Sequence, residues 1–336
     1  MSLNKDMKDK FDAILHCMKE SDQWYIVCHE NPDGDTLGCA LALYSFALRS
    51  GKRAFVTGKS PFPERYQFLP FASAYRPNLP LASSDKDGSL VICVDTSTAE
   101  RSIDWISEIA GSKTSLVNID HHVDNSLCCK INCIVPEASA TAEIIIDLLD
   151  YSGSGITETE SILLYSALTT DNGNFRYNST TAHSHLCAAK LHEAGLRPAD
   201  VDDHINENLS SDILKLWGRV FSRTELLSGG KGAVFYVTAS DINDVGADLS
   251  SLDGLVNMLL RIKGVKIAAL LSETEEGCKV SIRSREPYSA RELACIFGGG
   301  GHPMAAGAKI LEPLEYTLPK LKKEMEKYIA FRPSAH

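Results

Sequence analysis

The residues best suited to chemistry in this sequence are carboxylates and imidazoles placed directly after short apolar runs. The first group lies in the segment 29–35, His-Glu-Asn-Pro-Asp-Gly-Asp, between a predicted strand and a predicted helix. Proline and glycine favour an irregular turn, so His29, Asp33 and Asp35 can project from one short loop. Such a loop offers hard ligands to a cation, although the segment alone is equally typical of a solvated Asp-Gly turn.

Three later segments place acids and histidines after further apolar runs. Asp95 follows one run, Asp120, His121 and His122 follow another, and Asp171 begins the polar segment Asp-Asn-Gly-Asn after a third. An acid followed by two adjacent histidines is costly to bury unless the side chains are paired or ligated. We therefore expect these segments to converge on a cation site.

Together these segments offer four carboxylates and two imidazoles to bound cations: His29, Asp33, Asp35, Asp95, His121 and Asp171. So many negative charges cannot converge without cations between them. Mixed oxygen and imidazole ligands without a thiolate favour Mn²⁺ or Mg²⁺, with Fe²⁺, Co²⁺ or Zn²⁺ as substitutes. Two such ions about 3.5–4 Å apart can hold the oxygens of a phosphoryl group and deliver a bridging hydroxide in line. The predicted chemistry is two-metal hydrolysis of a phosphoester.

A second candidate site, for a small anion, lies in the last third of the chain. Lys279, Arg283 and Arg285 alternate with apolar or small residues, so a strand there would put the cationic side chains on one face. The glycine run that follows offers backbone N–H groups to an anion, and a histidine adds a donor: Gly299, Gly300, Gly301 and His302. The segment 261–309 holds eight Lys or Arg against five Asp or Glu. These residues predict a phosphate-binding surface, with a solvated strand face and a flexible glycine linker as the alternatives.

The elements that position these residues follow from the pattern of apolar runs. The first 200 residues alternate short β-branched runs with longer amphipathic ones, which predicts an α/β domain with a mainly parallel sheet. Strands are predicted at 24–28, 53–57, 90–94 and 115–119, and helices at 36–49, 140–151 and 158–169. Asp95, Asp120 and Asp171 then lie at the edge of the sheet where ligands bind in open parallel sheets.

The same patterns divide the chain into three parts. Residues 1–200 form the α/β domain, 201–228 form a helical linker, and 229–336 form a smaller α+β domain with an antiparallel edge. In the last part, strands are predicted at 233–238, 265–272 and 278–285, and helices at 251–260 and 290–297. The candidate cation ligands fall in the first domain and the candidate anion site in the second.

Composition and charge limit the classes of function. The chain has 336 residues, with 34 Lys and Arg against 44 Asp and Glu, and a formal net charge of −10. This balance disfavours a protein that coats duplex nucleic acid or an anionic membrane. A polar N-terminus and the lack of a long apolar run favour a cytoplasmic protein. The ten cysteines are scattered, which favours reduced, mostly buried thiols over disulfides or a zinc site.

Two further histidines are weaker candidates for a role in chemistry. His183 and His185 flank Ser184 at a predicted helix start, where they would point to different faces and share no metal. We expect both to be structural.

The order and spacing of the motifs resemble the DHH phosphoesterases that carry the DHH-associated C-terminal domain. The resemblance rests on His-x-x-Pro-Asp-x-Asp, an Asp after a strand, Asp-His-His, another Asp, and Gly-Gly-Gly-Gly-His-x-x-Ala-Ala-Gly, and spans about residues 20–310. It implies two Mn²⁺ ions, with Mg²⁺ or Co²⁺ as substitutes. The implied ligands are His29, Asp33 and Asp95 for one ion and Asp35, Asp95, His121 and Asp171 for the other. Asp95 is then the bridging carboxylate.

The resemblance also implies roles for the residues around the ions. His122 faces the scissile phosphate, where a protonated imidazole stabilises charge or assists the leaving oxygen. Asp120 orients a histidine. The far end of a short nucleotide chain is anchored in a cleft between the domains by Arg283, Arg285, the glycine loop and His302, and Arg176 is a further candidate contact.

The members most similar in size and layout are short-oligonucleotide exonucleases (nanoRNases) that are also 3′-phosphoadenosine 5′-phosphate phosphatases. The implied function is the release of nucleoside 5′-monophosphates from very short oligonucleotides, with neither a long duplex nor a membrane as partner. The alternative enzyme is a cyclic or linear dinucleotide phosphodiesterase, for example one that acts on cyclic di-AMP. Outside the enzymes, the alternative is an inactive nucleotide sensor. The sequence leaves a homodimer open.

Overall fold

The described residues contain two β-sheets, and each sheet lies in one of two compact structural units. The structure is a computed structural model that describes residues 4–82, 88–98, 101–109, 114–126, 129–205, 210–247, 252 and 254–331. The units are Met1–Asn208 and Leu209–His336. No helix in the described residues has both the length and the apolar composition needed to cross a bilayer.

A parallel sheet forms the centre of the first unit. Its strands are β1 (Gln23–Val27), β2 (Arg53–Gly58), β3 (Tyr75–Pro77), β4 (Leu90–Val94), β5 (Ser115–Asp120) and β6 (Ile131–Ile134). Among the described residues the strand order is β3-β2-β1-β4-β5-β6, and every pairing is parallel. The order reverses between β1 and β4, and open α/β sheets bind ligands at such a switch point.

Helices pack on both faces of this sheet. The helices of this unit are α1 (Lys5–Glu20), α2 (Gly34–Arg49), α3 (Ile106–Ile109), α4 (Thr141–Tyr151), α5 (Glu158–Asp171), α6 (Ala182–Glu193) and α7 (Pro198–Ile205). Alternate residues of the strands face two separate hydrophobic cores. Ile26 and Ile92 lie in the core shared with α1, α2, α4 and α5. Val27 and Val91 lie in the core shared with α3, on the other face. Burial on both faces explains why the strands read as continuous apolar runs.

Glycines allow α2 and α5 to lie unusually close together. A Cβ added at Gly38 would lie 2.3 Å from the carbonyl oxygen of Leu163, and one added at Gly34 would lie 2.2 Å from Oγ1 of Thr170. The first turn of α2 is therefore held against the last turn of α5. Because Asp35 and Asp171 stand in those two turns, this contact brings acids from distant parts of the sequence together.

The second unit is built on a mixed sheet. Its strands are β7 (Glu225–Leu227), β8 (Gly232–Val237), β9 (Ile267–Thr274), β10 (Gly277–Ser284), β11 (Gly300–Gly301) and β12 (Ala305–Ile310), and its helices are α8 (Ser211–Ser222), α9 (Ala239–Asn243), α10 (Leu255–Leu259), α11 (Ala290–Ile296) and α12 (Leu314–Phe331). In the described residues the order is β11-β12-β10-β9-β8-β7, with β8 and β9 parallel and the other pairs antiparallel. One face packs against α11 and α12, and the other packs against α8, α9 and α10.

The predicted fold class is confirmed: a parallel α/β domain is followed by a unit with a mixed sheet. The segment 201–228, predicted as a helical linker, contains the end of α7, all of α8 and β7. Because β7 pairs with β8, the end of this segment belongs to the second sheet.

Candidate metal centre

The predicted acids and histidines come from the ends of several elements of the first unit. His29 follows β1, Asp95 follows β4, and Asp120 ends β5. Asp33 is the N-cap of α2, because its Oδ1 accepts the backbone N–H groups of residues 35 and 36. This placement puts the side chains at the switch point of the sheet, beside the start of α2.

The first cluster is formed by His29, Asp33 and Asp95. His29 Nε2 lies 3.5 Å from Asp33 Oδ1 and 3.3 Å from Asp95 Oδ2. The other ring nitrogen, Nδ1, lies 2.8 Å from the carbonyl oxygen of Glu30, to which it donates in the tautomer that leaves Nε2 as an acceptor. A histidine that ligates a metal is commonly held in this way, with its second N–H on a carbonyl or carboxylate.

The second cluster is formed by Asp35, His121 and Asp171. His121 Nε2 lies 3.1 Å from Asp171 Oδ2, and its Nδ1 lies 3.1 Å from the carbonyl oxygen of Ala138. The same Nε2 lies 3.6 Å from Asp95 Oδ1. In the described part of the chain, each of these two clusters holds donor atoms close enough together for one cation.

Asp95 faces both clusters through different oxygens. Its Oδ2 points to His29 and its Oδ1 to His121, and the residue is 2% exposed. Its backbone adopts φ +54°, a left-handed conformation that is costly for a residue with a side chain and is concentrated at functional sites. Thr141 Oγ1 donates to Asp95 Oδ1 over 3.1 Å, which fixes the orientation of the carboxylate.

The first turn of α4 holds Asp35. The backbone N–H of Thr141 donates to Asp35 Oδ2 over 2.7 Å, and that of Ala142 donates to Oδ1 over 3.1 Å. The positive end of the helix dipole also favours a negative charge at this position. These two backbone donors fix the orientation of the buried carboxylate.

The charges of the clusters are balanced only if positive charge lies between them. Burial raises the pKa of Asp35, and the carboxylates of Asp95 and Asp171 raise it further. Burial also raises the pKa of Asp95. For both His29 and His121, burial lowers the pKa, but the facing carboxylates outweigh burial and raise it to about 10. The raised pKa values mean that protons are held among these four carboxylates and two imidazoles. Divalent cations would replace those protons and balance the negative charge.

Asp120 lies behind the clusters and holds His122. Its Oδ1 accepts from His122 Nδ1 over 2.7 Å and from the backbone N–H groups of His121 and His122. The hydrogen bond to Asp120 raises the pKa of His122, although burial opposes it. Burial would raise the pKa of Asp120, but the hydrogen bonds from His122 and Asn125 lower it. Both shifts favour a charged His122 ring beside the Asp120 carboxylate, and this contact uses Nδ1 of His122 rather than Nε2.

Two contributors to this site were not predicted from the sequence. Asn125 Nδ2 bridges Asp120 Oδ2 and the carbonyl oxygen of Thr96, and Thr141 contacts both Asp35 and Asp95. Neither residue stands in a motif, and each acts across a tertiary contact. The sequence does place Thr141 at the start of a predicted helix, where backbone N–H groups donate hydrogen bonds to an anion.

In the second unit, β10 carries a polar face. Lys279, Ser281 and Arg283 alternate with the buried Val280 and Ile282, as the strand period requires. Arg285, expected on the same face, lies past the end of the strand. A cavity of about 880 Å³ opens on this face, and its lining includes Lys279, Ser281, Gly299, Gly307 and Lys309 together with Glu273, Glu275 and Glu276.

The glycine run has a structural role that the sequence did not reveal. A Cβ added at Gly299 would lie 2.1 Å from the carbonyl oxygen of Gly307, and Gly301 has φ +135°. The backbone N–H groups of Gly298, Gly299 and His302 donate to carbonyl oxygens of the second unit. The anion-binding role of Gly299, Gly300, Gly301 and His302 stays a prediction, although the N–H group of Gly299 already has a partner within the unit. Gly300, by contrast, has open space where a Cβ would be.

The remaining candidates lie outside the metal clusters. Arg176 is exposed, and its Nε donates to the carbonyl oxygen of Gly173 over 2.8 Å. The ring of Phe175 stacks on His185 at a centroid distance of 5.1 Å. His183 instead contacts Asp147, so the two histidines point in different directions.

Comparison with known proteins matches both parts of the chain. Residues 23–169 match the DHH family, N-terminal domain, and residues 229–330 match the DHHA1 domain. The chain is 32% identical over 286 residues to the bifunctional oligoribonuclease and PAP phosphatase NrnA of Thermus thermophilus, covering 85% of this chain and 83% of that relative. It is 22% identical to the cyclic-di-AMP phosphodiesterase PdeA of Listeria monocytogenes, covering 93% of this chain and 48% of that protein. The crystal structure of an exopolyphosphatase-related protein from Bacteroides fragilis is similar with a TM-score of 0.88 and 27% identity, covering 98% of this chain and 99% of that one.

Proposed function

The chain belongs to the DHH family, with a DHHA1 domain after the DHH domain, and is a metal-dependent phosphoesterase; from this premise we propose which phosphoesters it hydrolyses. The proposed substrates are very short oligonucleotides, cut to nucleoside 5′-monophosphates, and 3′-phosphoadenosine 5′-phosphate, cut to AMP. The observation that carries the proposal is the pair of histidine and carboxylate clusters that face the two oxygens of Asp95. The name of the Thermus thermophilus relative, which includes both activities, supports it.

The donor set fits two divalent cations. We propose that one is held by His29, Asp33 and Asp95 and the other by Asp35, Asp95, His121 and Asp171. Imidazole mixed with carboxylate favours Mn²⁺ over Mg²⁺, which prefers oxygen ligands alone, and the lack of a thiolate in this set disfavours Zn²⁺. When bound, the two cations supply Lewis-acid polarisation of the phosphoryl group and a more acidic water.

His122 is the proposed acid for the leaving group. Asp120 accepts a hydrogen bond from Nδ1 of His122 and raises the pKa of the ring, which favours the imidazolium. The proton on Nε2 is then the one that His122 can donate to the leaving group. As water attacks phosphorus and the bond from phosphorus to the leaving oxygen breaks, that oxygen takes the proton from Nε2. Asp120 and Asn125 position the ring and do not contact the reacting atoms in this proposal.

A single centre can perform both reactions because both break the same kind of bond. Release of a nucleoside 5′-monophosphate breaks the bond between phosphorus and a ribose 3′ oxygen. Removal of the 3′-phosphate from 3′-phosphoadenosine 5′-phosphate also breaks a bond from phosphorus to a ribose 3′ oxygen. The leaving group that His122 would protonate is therefore an alkoxide of the same chemistry in each case.

The polar face of β10 is the proposed binding surface for a second phosphate of the substrate. Lys279 and Arg283 share this face of the strand and are the cations proposed to meet the phosphate. Lys309, on the neighbouring strand, forms an ion pair with Glu276 over 2.6 Å. Arg283 also donates to the carbonyl oxygen of Ile282, which keeps its guanidinium at the strand. The glutamates of the same cavity would repel a long polyanion more than a single phosphate, which favours short substrates.

A panel of substrates tests the proposal. Mn²⁺-loaded protein is given 3′-phosphoadenosine 5′-phosphate, a 5′-phosphorylated diribonucleotide, a longer single-stranded RNA and cyclic di-AMP at equal concentration, and products are separated by chromatography. We expect the first two to be hydrolysed fastest, to AMP and nucleoside 5′-monophosphates. If cyclic di-AMP is hydrolysed fastest, the metal chemistry stands and the proposed substrate class is wrong. That outcome would agree with the likeness to the cyclic-di-AMP phosphodiesterase of Listeria monocytogenes. Opening cyclic di-AMP to a linear dinucleotide with a 5′-phosphate also breaks a bond from phosphorus to a ribose 3′ oxygen.

A further inference from the structure

A third group of metal-binding side chains lies between two helices of the first unit. Asp147 projects from α4, and His183 and Cys187 project from α6. His183 Nε2 lies 2.9 Å from Asp147 Oδ2 and 3.5 Å from Cys187 Sγ. The three donor atoms all lie within 4.8 Å of one another, and none of the three residues belongs to the clusters around Asp95.

The spacing of the donors suits a tetrahedral ion. His183 and Cys187 are four residues apart on α6, so one helical face carries both. Zinc bonds of about 2.3 Å to sulfur and about 2.0 Å to nitrogen, at a tetrahedral angle, separate sulfur from nitrogen by about 3.5 Å. The observed separation of Cys187 Sγ and His183 Nε2 is 3.5 Å. Two ligands of one zinc ion lie slightly farther apart than the 2.9 Å between Asp147 Oδ2 and His183 Nε2. A small rotation of the Asp147 side chain would provide the additional few tenths of an ångström.

The surroundings provide support and access. Lys190 Nζ lies 3.5 Å from Asp147 Oδ1, so Oδ2 of Asp147 is the oxygen that faces the cation. The charge of Lys190 is balanced by Asp150, whose Oδ2 lies 2.8 Å from Nζ. A cavity of about 150 Å³ lined by Asp147 and His183 lies beside the group. This volume has room for a water as fourth ligand and reaches two of the three donor residues.

We propose that Asp147, His183 and Cys187 form a third metal site, which binds Zn²⁺ and ties α4 to α6. Thiolate and imidazole together select Zn²⁺ over Mn²⁺, whereas the clusters around Asp95 offer no thiolate among their proposed ligands. Burial raises the pKa of the Cys187 thiol, so the cysteine is protonated until the ion arrives. On binding, the S–H bond breaks, the Zn–S bond forms and the proton passes to solvent.

The site is structural and goes beyond the proposed hydrolysis. The first turn of α4 holds Asp35 through the N–H groups of Thr141 and Ala142, so a tie between α4 and α6 stabilises the helix that supports one cation ligand. The alternative is that His183 and Asp147 form only a hydrogen bond, with Cys187 as ordinary packing. The two cases differ in whether a third ion binds with a sulfur ligand.

Cobalt spectroscopy tests the site. Metal-free protein is titrated with Co²⁺, and the near-ultraviolet charge-transfer band from thiolate to Co²⁺ is recorded. We expect the band in the unmodified protein and in Cys39→Ser, and its loss in Cys187→Ser. Cys39 is the matched control, because its Sγ lies 3.3 Å from Asp35 Oδ1 and is the thiol that would be recruited if the band arose at the clusters around Asp95. A band that survives in Cys187→Ser, or no band in the unmodified protein, would overturn the proposal.

A second measurement uses stability and does not depend on sulfur. With Mn²⁺ already bound, added Zn²⁺ should raise the Tm of the unmodified protein, and His183→Gln should weaken Zn²⁺ binding at least about 10-fold. Hydrolysis of a chromogenic phosphodiester serves as the folding control, since neither His183 nor Cys187 is placed at the reacting phosphate. An equal Zn²⁺ response in His183→Gln and the unmodified protein would contradict the site while leaving the proposed function untouched.

Discussion

Replacing Gly38 by alanine tests how the packing of two helices positions the cation ligands. The added Cβ would lie 2.3 Å from the carbonyl oxygen of Leu163 and 2.9 Å from the Cβ of Ala167, where ordinary contacts begin at 3.4 Å. Because one of these atoms is backbone, it cannot rotate away. We expect α2 to move away from α5 by roughly 1 Å.

The displacement should affect catalysis more than stability. The first turn of α2 carries Asp35 and the last turn of α5 carries Asp171, so the second cluster opens. A displacement of this size in a catalytic site costs up to about 10²-fold in turnover. Overpacking costs roughly 1–3 kcal/mol, whereas alanine is favoured over glycine in a helix by about 1 kcal/mol. The net loss of about 0–2 kcal/mol leaves the protein folded, so lost turnover would reflect geometry.

Gly218→Ala is the matched control for this prediction. Gly218 lies in α8, and nothing lies within 4 Å of a Cβ added there. We expect its Tm to stay the same or rise, with kcat unchanged. The assay is steady-state hydrolysis of a chromogenic phosphodiester with Mn²⁺, together with Mn²⁺ binding by isothermal titration and Tm by calorimetry. A Gly38→Ala protein with unchanged kcat and unchanged Mn²⁺ affinity would refute the reasoning.

Three further substitutions have expected outcomes. The Arg223 guanidinium holds the pKa of Asp241 well below its usual range; Arg223→Gln should therefore cost the second unit about 1–3 kcal/mol at neutral pH. Since the pair stabilises only while Asp241 is ionised, calorimetry should show this deficit shrinking as the pH falls below about 4. Thr141→Val removes the hydroxyl donor to Asp95 and should weaken Mn²⁺ binding by about 10-fold in isothermal titration, whereas Thr141→Ser should keep it. Arg283→Ala should raise KM for a 5′-phosphorylated diribonucleotide more than KM for a chromogenic phosphodiester in steady-state assays. Only the nucleotide has a second phosphate, which would lose its cationic partner.

Each of these expectations has an outcome that would contradict it. A stability deficit of Arg223→Gln that is as large at about pH 2 as at neutral pH would assign the loss to the packing of the guanidinium over the ring of Tyr236. Equal Mn²⁺ affinity in the valine and serine variants of Thr141 would show that its hydroxyl does not contribute to metal binding. Equal increases in KM for both substrates would place Arg283 at the reacting phosphate.

Much of the first unit could be predicted from the sequence because its strands are buried on both faces. Leu90–Val94 reads as one continuous apolar run, and the predicted strand has the same bounds as β4. Once the strands are parallel, their carboxyl ends share one edge, so His29 and Asp95 could be predicted to meet. The strands β3 and β6 were not predicted, since β3 has only three residues and β6 is half-buried at the sheet edge.

The rest of the site depends on contacts between distant segments. Asp171 was expected in a loop after an apolar run, but it is the last residue of α5, and its approach to His121 depends on the close packing at Gly38. A single sequence does not reveal which helices pack together. The contacts of Thr141 with Asp35 and Asp95 could not be predicted for this reason. The pairing of Cys187 with a side chain from α4 was hidden in the same way, although its spacing from the histidine on α6 was visible.

If the Asp95 carboxylate is a ligand of both cations, Asp95→Asn should disturb both of them. The metal content of the Mn²⁺-loaded variant is counted by elemental analysis, and hydrolysis of 3′-phosphoadenosine 5′-phosphate and of a diribonucleotide is measured on the same sample. Asp22→Asn, at a carboxylate whose side chain is 94% exposed, is the control for the loss of one charge. We expect Asp95→Asn to lose at least one Mn²⁺ per chain and hydrolysis of both substrates. Full metal content with undiminished hydrolysis of both would contradict this expectation.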